Sequence, residues 1–220
     1  MTTAADLAAA VASHLSPALT PSLTSASHAF DLYEAYVFTL VLRGAEREKF
    51  AVTYETVVPG LPNVFTFRTS PGHIYTSTQP YSYAVLTSQN GLVLEAHVGV
   101  RLLGKSHVAH ECDVLVLHRQ EAVDCRANRV DPRHIHAEMA VECKFYAAGL
   151  DLGLLRGFVG LSADLARPVS TIVSNVTSTS MAQFFKAHKR LWEDHLTPGS
   201  SAEERFVGDV RSALHRFQST

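Results

Sequence analysis

Two short apolar segments, each carrying charge where a buried strand carries none, constrain this chain more than anything else in it. The first is His110-Glu111-Cys112-Asp113-Val114-Leu115-Val116-Leu117, and the second is Ala140-Val141-Glu142-Cys143-Lys144-Phe145-Tyr146. Strand side chains alternate with a period of two. Glu142 and Lys144 therefore share one face, while Val141, Cys143 and Phe145 share the other and can enter a core. Asp113 opens its apolar run. If the two strands are neighbours, Asp113, Glu142 and Lys144 meet at one end of a sheet.

Such a meeting is costly unless it serves chemistry. Two carboxylates roughly 4 Å apart repel by about 4 kcal/mol at an effective dielectric near 20. A divalent cation between them reverses the sign, and carboxylate oxygens suit magnesium or manganese. The backbone carbonyl of Cys143 lies between the two side chains and can complete the protein's share of ligands. Glu111, two residues from Asp113 and on its face, is a further candidate acid for the metal or its surroundings. Lys144 beside the ion would hold a water molecule or help to deprotonate it. The plain alternative is an Asp in a turn and a cross-strand Glu–Lys pair on a solvated face.

Asp113 followed by Glu142-Cys143-Lys144 on the next strand resembles the PD-(D/E)XK nuclease superfamily, the restriction-endonuclease-like fold. Cys112 stands where the family name has Pro, a common variation, and the spacer over residues 114–141 is long. The resemblance implies an α/β (α+β) fold whose mixed central sheet is flanked by helices, ordered helix, three antiparallel strands, helix, strand. It implies a magnesium- or manganese-dependent phosphodiesterase acting on nucleic acid, DNA above RNA. Asp113, Glu142 and Lys144 would be its catalytic residues, with Asp113, Glu142 and the Cys143 carbonyl on the metal. It also offers Glu34 a role as an additional acid from the first core helix; the other reading of Glu34 is a helix-starting Glu with Asp31 as cap.

The balance of the chain allows this without demanding it. A length of 220 residues suits one domain with a substantial core. No apolar run is long enough to cross a membrane, and Met1-Thr2-Thr3-Ala4 lacks the basic start of a secretory signal. The odd cysteine count, Cys112, Cys125 and Cys143, fits reduced thiols and a cytoplasmic location. A formal net charge of −2 is unlike that of a nucleic-acid binder, because phosphate contact wants Lys and Arg. Basic surface must then come from local patches, from a homodimer or from a partner protein.

The order of patterns predicts an N-terminal helix and linker over 1–27, a nuclease-like core over 28–176 and a helical extension of the same domain over 177–220. Within these, apolar spacing predicts helices over 4–15 and 28–48. Strands are expected over 50–58, 63–69, 81–88, 92–103, 108–117, 140–146 and 169–176. Asp151 caps a helix over 152–166, where Gly153, Gly157 and Gly160 would permit close approach to the sheet. Further helices cover 181–196 and a last segment opened by a Ser201/Glu204 capping box.

Gly99-Val100-Arg101-Leu102-Leu103-Gly104-Lys105-Ser106 matches the P-loop formula letter for letter. A P-loop needs a helix after it, whereas residues 108–117 read as a strand, so Gly104-Lys105-Ser106 is expected to be a hairpin turn. A nucleotide-binding protein using this segment remains an alternative, as does a non-catalytic interaction protein on an inactivated nuclease fold. The spacer over 119–133 reads as a polar loop whose Arg126, Arg129 and Arg133, together with Lys105, are the candidates for gripping phosphate. Glu95 is expected to face solvent. His134 and His136 are expected on one strand face, too few for a zinc site.

Overall fold

The structure, a computed structural model, describes residues 2–58, 63–76, 78–166, 168–177 and 179–219. The chain runs through α1 (Ala4–His14), β1 (Thr20–Pro21), α2 (Ala29–Arg47), β2 (Ala51–Thr56), β3 (Val64–Phe65), β4 (Ser82–Thr87), β5 (Val93–Leu103) and β6 (Ala109–His118). It continues through α3 (Arg119–Asn128), β7 (Ala137–Lys144), α4 (Leu152–Leu165), β8 (Val169–Ser174), α5 (Thr179–His188), β9 (Leu191–Glu193) and α6 (Ser201–Gln218). Seven strands form one mixed sheet in the order β2-β4-β5-β6-β7-β8-β9. Neighbours from β2 to β7 are antiparallel; β8 and β9 join in parallel. The fold is mixed α/β, a mostly antiparallel central sheet flanked by helices.

Each face of the sheet has its own cover. On one, Leu32, Tyr36, Val37 and Leu40 of α2 pack against Ala96, Val98, Val114, Val116 and Val141, with α1 and α6 behind. Fully burying one such aliphatic or aromatic side chain contributes about 1.5–3 kcal/mol. Gly44 lets α2 and α6 approach closely: a Cβ there would stand 2.6 Å from Cγ1 of Val210. On the other face α3 and the end of α4 cover Leu115 and Leu117, while α4 and α5 enclose Ile172. The apolar stripe expected over 28–48 is this central helix, with Phe30 its exception at 53% exposure.

Several expectations need correction. Residues 63–69 supply only β3, which pairs with β1 outside the main sheet. Beyond it the Ser82 and Ser22 hydroxyls accept from the N–H groups of Thr66 and Phe67, in place of a strand partner. The expected polar loop over 119–133 contains α3, whose apolar side is reduced to Ala122 and Cys125, too narrow to read as a stripe. The helix expected over 181–196 stops at His188; Lys189 is left-handed with φ 51°, and Leu191–Glu193 then adds the last strand. His134 and His136 lie in a 3-10 turn before β7. At α6 the N-cap is Ser200, and Glu204 pairs with Arg43 and Arg47, each at 2.6 Å, instead of closing a capping box. No helix among the described residues is long and apolar enough to cross a membrane.

Candidate active site

The site begins with a break in strand pairing. β5 and β6 pair on both sides of Gly99 and Asp113, but these two residues are skipped. Gly99 has φ 63°, a conformation that favours glycine. Here both strands exchange faces: Val98 and Val114 belong to the core under α2, Val100 and Cys112 to the core on the other side. A local disruption of this kind re-aims a side chain. It releases Asp113 from the alternation of its strand.

β6 and β7 then part company. Their ladder ends at the Val114–Val141 pair, so Glu142, Cys143 and Lys144 have no backbone partner on β6. The Asp113 carboxylate fills the gap, its Oδ2 accepting from the Cys143 N–H at 2.6 Å. In an extended strand the N–H and C=O of one residue point to the same side. The Cys143 carbonyl is thus directed toward Asp113 as well. Val141 and Cys143 enter the core with Phe145 against it, and Glu142 and Lys144 face the other way, as the alternation predicts. Lys144 Nζ lies 2.6 Å from Glu142 Oε1, both side chains about four-fifths buried at 20% and 21% exposure.

Glu34 reaches the same place from α2. It lies in the second turn of a helix whose N-cap is His28, so neither it nor Asp31 forms the expected cap. Burial, then the charges of Asp113 and Asp31, push the Glu34 carboxyl up to about 8. Burial and the Glu142 charge push Asp113 up to about 7, against the opposing pull of the Cys143 N–H and Lys144. Burial pulls the Lys144 ammonium down, but Glu142 and Asp113 outweigh it and its pKa is raised. The four side chains named from sequence as catalytic therefore form one electrostatic unit with surplus negative charge.

That surplus fits a hard divalent cation, because oxygen donors crowded together repel until a positive charge relieves them. Among the described residues no three His, Cys, Asp or Glu side chains are grouped so as to hold a metal ion. The candidate set relies instead on two carboxylates, Asp113 and Glu142, and the Cys143 carbonyl. Glu111 is exposed, lies 3.6 Å from Arg101 and adds to the negative charge that Asp113 feels.

The proposed phosphate-gripping residues have other partners. Arg126 forms two 2.7 Å hydrogen bonds with Glu95, a carboxylate with 0% exposure that the strand pattern led one to expect in solvent. His97 Nε2, also fully buried, lies 2.9 Å from Glu95 Oε2. Burial raises the Glu95 pKa, but the hydrogen bonds from Arg126 and His97 prevail and hold it near about 2. Arg126 is thus a structural countercharge, not a free cation. Arg133 pairs with Glu121 at 3.3 Å, and exposed Arg129 lies over the Tyr75 ring at 5.6 Å. Exposed Lys105 lies in the turn between β5 and β6, which is a hairpin with no helix after it. Asp164 of α4 already takes the Ser106 N–H at 3.0 Å and the Ser106 hydroxyl at 2.5 Å, where a phosphate would have to bind.

Sequence reasoning missed the Glu95–His97–Arg126 cluster, because a buried charge announces itself only through its partner on another element. Comparison of the chain with family models, with curated proteins and with solved structures finds no match.

Proposed function

We propose that this protein is a divalent-metal-dependent phosphodiesterase of restriction-endonuclease-like fold that acts on DNA, with magnesium or manganese as the ion. The observation that carries the reading is the convergence of Glu34, Asp113, Glu142 and Lys144 from α2, β6 and β7 at one end of the sheet. The run of α2, the antiparallel β5-β6-β7, α4 and the parallel β8 supports it independently of the motif. Bound between Asp113, Glu142 and the Cys143 carbonyl, such an ion supplies Lewis-acid polarisation of the phosphoryl group and acidifies water. Lys144 holds the attacking water in line and offsets charge developing on the non-bridging oxygens. Glu142 keeps the Lys144 ammonium in place, and Glu34, protonated at neutral pH in the metal-free site, would ionise in response to a cation and add to its binding. The free thiols of Cys112, Cys125 and Cys143 support a cytoplasmic location.

The test is incubation of the pure protein with plasmid and oligonucleotide substrates in magnesium or manganese, with and without chelator. Cleavage that needs the metal and is lost in Asp113→Ala and Lys144→Ala is the expected result. Cleavage retained in the double variant removes the assignment.

A second reading, a non-catalytic interaction protein on the same fold, is favoured by one observation. Arg126 and Arg133 are engaged with Glu95 and Glu121, so these two offer no free basic surface to a phosphate. Absence of metal-dependent cleavage on every nucleic acid tried would favour it. In the phosphodiesterase reading a homodimer or a partner protein supplies that surface.

A further inference from the structure

Beside Lys144 the sheet and α4 enclose a cleft of about 420 Å³, within the size range of small-ligand sites. Glu142 and Lys144 form one side of it; Leu154, Phe158, Leu161 and Ile172 make its apolar wall. Glu111 lines it as well, with 55% of its side chain exposed.

One position in the lining of the cleft carries no side chain. Gly157 lines it, and a Cβ built there meets nothing within 4 Å. The expectation that the α4 glycines permit close approach to the sheet therefore fails at Gly157 and Gly160, both of which face open space. Glycine inside a helix costs roughly 1 kcal/mol relative to Ala. A longer side chain at Gly157 would project into the cleft and fill it. Nor does the helix N-terminus serve as an anion site, since Asp151 already accepts from the Gly153 and Leu154 N–H groups at 2.6 and 3.1 Å.

We infer that this cleft is a nucleobase subsite, filled by the unpaired or extruded base next to the phosphate held at Lys144, and that Gly157 keeps it open. The inference deepens the phosphodiesterase reading and rests on it, because the cleft shares Glu142 and Lys144 with the candidate site. A cleft with an apolar wall, one side of which carries the reacting groups, suits a base taken out of its stack.

Two arms test this. In the first, metal-free protein in chelator is titrated with deoxyadenosine, deoxycytidine, deoxyguanosine and thymidine, read by NMR shifts of the α4 amides. All four nucleosides should shift them, and Gly157→Leu should weaken that binding about tenfold, the scale of losing a stacked base. Gly208→Leu, at a glycine of α6 that also faces open space, should leave it unchanged. Equal binding by wild type and Gly157→Leu, or no shift with any nucleoside, overturns the subsite.

In the second arm, cleavage by Gly157→Leu should fall on ordinary DNA and persist at an abasic position. Wild-type rates and cut sites in Gly157→Leu would discard the subsite while leaving the phosphodiesterase reading intact. Nucleoside binding in the cleft of a protein that cuts no nucleic acid would discard the cleavage reading and keep a base-binding site.

Discussion

The backbone N–H of Cys143 donates to Oδ2 of Asp113 at 2.6 Å, tying the two motif strands together one step beyond the end of their ladder. A side chain thereby does the work of a strand partner. The same carboxylate that would hold a cation also stabilises the splayed end of the sheet, and the two roles can be separated by substitution.

Asp113→Asn keeps an oxygen that can accept from Cys143 and removes the negative charge. Metal-free Asp113→Asn is expected to melt at or above wild type near pH 8, with cleavage reduced about 100-fold or more. Asp113→Ala should lose the hydrogen bond as well, about 1 kcal/mol of stability. Thermal melts in chelator beside a cleavage assay check both; an Asn variant that cuts normally would exclude Asp113 from the reaction.

Glu34 and Asp113 make metal-free stability depend on pH. Their folded pKa values, about 8 and about 7, lie above the ordinary 4.5 and 3.8, so the folded state binds protons more tightly than the unfolded one. Their contribution is present in full below pH 3.8, declines above it and is gone above about 8. The melting temperature in chelator should fall from pH 5 to 9, Glu34→Gln should flatten the slope, and magnesium should raise it most at the alkaline end. A flat profile in wild type would show that the carboxyls do not crowd one another.

Lys144 is expected to matter to reaction far more than to stability. Lys144→Ala should lower cleavage by about 100-fold or more, with its circular dichroism spectrum unchanged. Lys144→Arg, which keeps the charge on a larger planar head, should restore a minor part. Full activity in Lys144→Ala would assign the water to another group.

Arg126 is expected to behave as a core residue. Arg126→Met removes both 2.7 Å hydrogen bonds from Arg126 and leaves the buried Glu95 carboxylate with His97 and the 3.5 Å contact of Arg119, which costs about 3 kcal/mol. Adding Glu95→Gln should recover part of the loss, whereas Arg129→Ala should leave the denaturation midpoint alone. If Arg126→Met melts like wild type and instead weakens DNA binding, the phosphate-gripping role expected from sequence returns.

What the sequence determined by itself is local. Apolar runs and a hairpin signal locate β5, β6 and β7, and period-two alternation in β7 correctly sends Val141 and Cys143 inward and Glu142 and Lys144 the other way. Helical spacing finds α2, and hairpin chemistry turns the P-loop formula into a turn, because each of these signals resides in neighbouring residues. Where pattern and partner part company the sequence is silent. Polar α3 and three-residue β9 carry too few apolar positions to register, and only tertiary packing makes them a helix and a strand. The same holds at the candidate site. Glu34 and Asp113 are far apart along the chain, and their mutual repulsion exists only after α2 packs on the face of the sheet. The burial of Glu95 was decided in the same way, since a lone carboxylate in the core is prohibitive and becomes tolerable when Arg126 and Arg119 arrive from α3.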